Sequence, residues 1–220
     1  MFLLLQLGDI DVTMTALIIL ATCAVSYAGE NDPYLKERYL FSPYFINKRG
    51  EYHRFVTGGF LHGGYVHLAF NMITLYSFGN LCERVFQAIF NHQQLGSLVF
   101  LVFYLSAIVA AGLLAYTKHK DFVGYRALGA SGAVSAVMFA MILLMPTGML
   151  AIFGIPMPAF VFGGLYLFYS YYMATQGSND GIGHDAHLLG GLYGIVFMAV
   201  LRPSALWNFF EQIINWRGFF

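Results

Sequence analysis

The stretch "ALGASGAVSAVMFAMILLMPTG", residues 127–148, holds no charged side chain, and its polar side chains are Ser131, Ser135 and Thr147. The uncharged run continues to Asn179, too long for one membrane-crossing helix, which needs about 20 apolar residues. Pro146, Gly148, Pro156 and Pro158 interrupt it, because proline removes a backbone donor and clashes with the preceding turn. The pattern therefore predicts two helices here, over 130–146 and 157–175.

Further uncharged runs flank this pair. Val12 to Gly29 gives a first span, 12–29. Phe55 to Cys82 carries no charge except at His62 and His67, and a second span is placed at 62–82. A third falls at 95–117 and a sixth at 184–201. The largest loop, 30–56, contains "PYLKERYLFSPYF" (33–45), rich in the aromatic residues that favour a bilayer interface. Of the 220 residues, 59% are hydrophobic and 10% charged, and the mean hydropathy is +0.66. This composition places the chain inside a bilayer. The expected fold is all-α, a polytopic bundle of six transmembrane helices forming one domain over 1–220.

Net charge is zero and no basic tail is present, so nucleic acid is not an expected partner. The start, "MFLLLQLGDIDV", lacks the basic opening of a signal peptide and is read as mature protein. Cys23 and Cys82 lie at apolar positions far apart, consistent with buried free thiols. No metal-binding spacing is present, and no cofactor is expected. No internal repeat of the kind many transporters carry is visible.

Polar groups at membrane depth usually face the bundle interior. On these boundaries no Asp, Glu, Lys or Arg sits mid-span; Asp185 is near the start of 184–201. His67 and Asn71 are four residues apart and share one helix face. They can serve as helix–helix glue or as a pair of hydrogen-bond donors. Ser131, between Gly129 and Gly132, can mark a close helix contact or a nucleophile; the soluble esterase pattern G-x-S-x-G fails at Ala133. His187 is followed by Gly190, Gly191 and Gly194 on its own face. A face so cleared lets another helix approach closely, and Gly132 and Ala136 keep the partner face small. Hydrogen-bond reach between a serine and a histidine, about 2.6–3.2 Å, requires such proximity. Asp185 points elsewhere on the helix, so any catalysis would use a dyad. Phe197, about 80° round the helix from His187, is expected to tolerate substitution better than the glycines.

These residues resemble the rhomboid intramembrane serine proteases. "GASG" (129–132) is similar to the family's G-x-S-G, and "AHLLGGLYG" (186–194) to its A-H-x-x-G-x-x-x-G. "FLHGGYVHLAFN" (60–71) resembles the second-helix pattern, and "RFVTGGFLH" (54–62) the R-x-x-T-x-x-F-x-H closing the first loop. His53 stands where the family usually has tryptophan. The resemblance covers roughly residues 10–202. It implies Ser131 as nucleophile, His187 as base, and His67 with Asn71 as oxyanion donors. It implies transmembrane-helix substrates with small residues near the cut, and a multi-pass protein of a cell membrane, with the bacterial inner membrane as the expected one. A helix-binding pseudoprotease or a small transporter is the alternative. The absence of HExxH and of paired mid-span aspartates excludes other intramembrane protease chemistries. The family's topology places Arg84, Arg202 and Arg217 inside and eight basic residues outside, against the positive-inside rule.

Overall fold

The structure, a computed structural model, describes residues 12–152, 154–176 and 182–218. The N-terminal stretch read above as mature protein lies, up to residue 11, outside the described residues. In chain order the elements are α1 (Met14–Asn31), α2 (Pro33–Tyr39), α3 (Pro43–Arg49), α4 (Arg54–Thr57), α5 (Tyr65–Phe90), α6 (Gln93–His119) and α7 (Ser131–Leu144). They continue with β1 (Met149–Ile152), β2 (Ile155–Pro158), α8 (Ala159–Gln176), α9 (His184–Leu201) and α10 (Ser204–Ile214). By length and composition, α6 and α9 can cross a membrane, and α7 is a shorter apolar helix.

α7 lies at the centre. Every residue from Gly132 to Leu143 is buried, as expected of a helix that is apolar all round. It packs on α9, α5, α6, α8 and α10, while α1 leans on α5. Fourteen residues make a helix about 21 Å long, shorter than the bilayer's hydrocarbon core, and its neighbours cover it on all sides.

Four expectations are corrected. The fold is not purely helical, since β1 and β2 form an antiparallel hairpin between α7 and α8. Pro156 and Pro158 stop a helix there but tolerate a two-stranded ribbon with open edges. The 30–56 loop holds the short helices α2, α3 and α4. Asp32 accepts from the N–H groups of Tyr34 and Leu35 with Pro33 at the first helical position, and α3 opens on Pro43 without a side-chain cap. Within this loop the buried Arg54 donates to the carbonyls of Glu37 and Leu40 and to the Glu51 carboxylate. That last bond holds the Glu51 carboxyl below its ordinary range. His53 meets Tyr39 edge-on at 6.0 Å. After α9 the chain continues as α10, whose Gln212 donates to the carbonyl of Leu144 at the end of α7.

The fourth correction concerns charge. α5 runs eight residues beyond 82, so Glu83 lies inside a helix, and it is only 2% exposed. Its carboxylate accepts from the N–H groups of Met14 and Thr15, each at 2.9 Å, from Thr15 Oγ1 at 2.8 Å and from Ser97 Oγ at 2.6 Å. Two of those donors are among the unpaired N–H groups that open α1, where the helix dipole favours a negative charge. Glu83 thereby ties α1, α5 and α6 together. Glu83→Gln replaces an acceptor oxygen by a donor facing donors. The expected loss is about 1.5–3 kcal/mol, read as a lower melting temperature in detergent. A variant melting like the wild type would show that the carboxylate does not hold α1.

Candidate active site

Ser131 opens α7, so its side chain sits where the first backbone N–H groups lack intrahelical acceptors. The approach is a turn at Gly129, with φ +125°, a conformation that favours glycine. A Cβ added there would lie 2.8 Å from His67 Cε1, so the imidazole rests directly on the glycine. The segment before Ser131 is laced to the first loop. Phe41 and Ala127 exchange two backbone bonds at 3.0 Å, and Gly129 N–H donates to the Gly58 carbonyl at 3.0 Å.

His187 lies in the first turn of α9. The contact between α9 and α7 is backbone on backbone. A Cβ added to Gly190 would fall 2.0 Å from the Gly132 carbonyl oxygen, and one on Gly194 2.1 Å from that of Ala136. At the level of the site, a Cβ on Gly132 would meet Ala111 Cβ at 2.4 Å and the Ala186 carbonyl at 3.2 Å. The residue after Ser131 therefore abuts the residue before His187. Both side chains line one cavity of about 1110 Å³, together with His67, Asn71 and Tyr166.

Asn71 sits one turn beyond His67. Its Nδ2 is buried and has no hydrogen-bond partner among the described residues. Asp185 pairs with Lys118 at 2.9 Å. His184, buried, meets His187 edge-on at 6.1 Å and Tyr169 at 5.5 Å.

One residue of the site escapes the sequence patterns. Tyr166 of α8 stacks on the His187 ring, with centroids 5.7 Å apart and planes at 27°, and its hydroxyl lies 2.6 Å from Ser135 Oγ. A tyrosine in an apolar helix needs a polar partner, and Ser135, four residues after Ser131, is the available signal. His62, the last residue of the 54–62 pattern, meets the His67 ring edge-on at 5.0 Å.

The chain matches the Rhomboid domain over residues 49–204. It is 33% identical over 207 residues to RHOMBOID-like protein 12, mitochondrial, of Arabidopsis thaliana, covering 90% of this chain and 60% of that one. It is 34% identical over 160 residues to the human Presenilin-associated rhomboid-like protein, mitochondrial, covering 71% and 39%. It is 34% identical over 94 residues to Rhomboid protease GluP of Bacillus subtilis, covering 43% and 16%. The chain thus spans 60% or less of the length of these relatives. Two of the three names are mitochondrial, so the expected bacterial inner membrane gains no support from them. With the domain match covering most of its length, the chain belongs to the rhomboid family of membrane proteins.

Proposed function

We propose that this chain is an intramembrane serine protease that cuts transmembrane helices with a Ser131–His187 dyad. The observation that carries the reading is the cavity that Ser131 and His187 both line, where glycine-on-backbone packing of α7 and α9 brings Gly132 against Ala186. GluP, by its name a rhomboid protease, supports the chemistry at the level of the family. His187 takes the Ser131 proton as Ser131 attacks a peptide carbonyl, then returns a proton to the leaving amine. Water then hydrolyses the acyl-enzyme. The oxyanion meets the His67 and Asn71 side chains and the N–H groups at the start of α7. The unpartnered Asn71 Nδ2 is a donor of the kind this step requires. The substrate helix must open locally to present a carbonyl, which small residues and glycine make less costly.

A fluorophosphonate probe, which modifies activated serines, is expected to label the purified protein at Ser131, with cleavage of a model transmembrane substrate in parallel. No labelling and no cleavage would favour the alternative, a rhomboid-like protein that binds membrane helices without cutting them. His67→Ala and Asn71→Ala are each expected to lower turnover by about 10²–10³-fold. The double variant should lose less than the product of the two, because both groups serve one oxyanion. Full activity in both single variants, shown to be folded, would reassign them to helix packing.

A further inference from the structure

His62 is fully buried ahead of α5 and takes no part in the chemistry proposed above. Its two ring nitrogens are both engaged, and in a definite order. The N–H of Ala130 donates to Nε2 at 3.3 Å, so Nε2 carries no proton. In the neutral ring the proton then sits on Nδ1 and donates to Ser26 Oγ at 2.8 Å. Ser26, in α1, passes its own hydroxyl proton to the carbonyl of Phe60 at 2.8 Å. Each donor and each acceptor in this relay is used in one direction.

The relay ends on the residue immediately before Ser131. The three bonds upstream of it, two between Ala127 and Phe41 and one from Gly129 to Gly58, are made by backbone groups alone. The bond to Ala130 is made by a side chain and depends on its identity. The same imidazole backs His67, which rests on Gly129.

We propose that His62 is a positioning residue that fixes the peptide entering Ser131, and with it the direction in which the serine side chain leaves α7. It holds this peptide through one tautomer, locked from the other side by Ser26. The proposal rests on Ser131 being the nucleophile. A displacement of about 1 Å at a reacting group can slow a reaction by on the order of 10²-fold, so a single lost bond next to the serine has a measurable effect.

The test compares His62→Gln with His62→Asn. The glutamine amide reaches the position of Nε2 and can accept from Ala130. The asparagine amide reaches only the position of Nδ1 and can bond Ser26 alone. Both keep a polar group in the same buried site, so the folding burden is similar. The rate of fluorophosphonate labelling per folded molecule, kcat and KM for a transmembrane peptide, and the melting temperature are measured for both. The expected result is labelling and kcat reduced about 10–100-fold in His62→Asn, substantially restored in His62→Gln, with KM unchanged in both. Ser26→Ala, which keeps the acceptor but unlocks the tautomer, should fall between the wild type and His62→Asn. Equal labelling rates in His62→Gln and His62→Asn, whatever their melting temperatures, would overturn the positioning role while leaving the protease reading intact. A wild-type protein that is not labelled would overturn the protease reading and this proposal with it.

Discussion

Ser131→Ala is expected to abolish both fluorophosphonate labelling and cleavage of a transmembrane substrate, with little change in melting temperature. Removing a nucleophile or its base from a serine hydrolase can lower kcat on the order of 10⁶-fold. His187→Ala should match that loss, since the serine hydroxyl is a poor nucleophile without a base to receive its proton. The double variant should be no worse than either single one, because the two groups act as a unit. Additive losses would mean that the two residues contribute independently. Labelling undiminished in His187→Ala would assign activation of Ser131 to another group, and His184, 6.1 Å from the His187 ring, is the nearest imidazole on α9. Cleavage by Ser131→Ala at the wild-type rate would end the serine-protease proposal.

How much of this was readable beforehand differs from element to element. Proline acts locally and on the backbone, so the end of α7 at Leu144, two residues before Pro146, is visible in the sequence. What the chain does between the prolines is decided by pairing across the hairpin, and no single strand of four residues announces that. The openings of α2 and α3 are written in "DP" and "SP" at Asp32–Pro33 and Ser42–Pro43, a start signal that the aromatic composition of the loop obscures. Glu83 illustrates the opposite failure. A charge is a sound marker for the end of an apolar span, but four hydrogen bonds and the start of α1 make this one tolerable inside a helix. Around Ser131, motif and spacing single out His67, Asn71 and His187, since each belongs to a short local pattern. Tyr166 stacks on His187 from another helix, and no local spacing relates the two. The surroundings of Phe197 are hidden for a similar reason. Angle alone turns it away from His187, yet its ring packs 4.7 Å from that of Phe103 and 6.1 Å from that of Phe86.

Gly194→Val is expected to be strongly damaging although it touches no proposed catalytic group. The Cβ alone would lie 2.1 Å from the Ala136 carbonyl oxygen and 2.7 Å from its carbon. These are backbone atoms in the middle of a buried helix and cannot rotate away. α9 must therefore retreat from α7 by about 1 Å to reach even a tight van der Waals contact. Overpacking of this kind typically destabilises by about 1–3 kcal/mol, and backbone-on-backbone contact leaves little room for relief by side-chain movement. The same retreat draws His187, two turns earlier on α9, away from Ser131, and a misplacement of 1 Å can lower the rate on the order of 10²-fold. Melting temperature and turnover should fall together. Gly164→Val supplies the control. Gly164 also lies in an apolar helix, α8, but a Cβ there meets nothing within 4 Å, so the identical chemical change should leave both measurements near wild type. If Gly194→Val and Gly164→Val behave alike, α9 is not held against α7 by its glycines, and the packing that sets His187 beside Ser131 loses its physical basis.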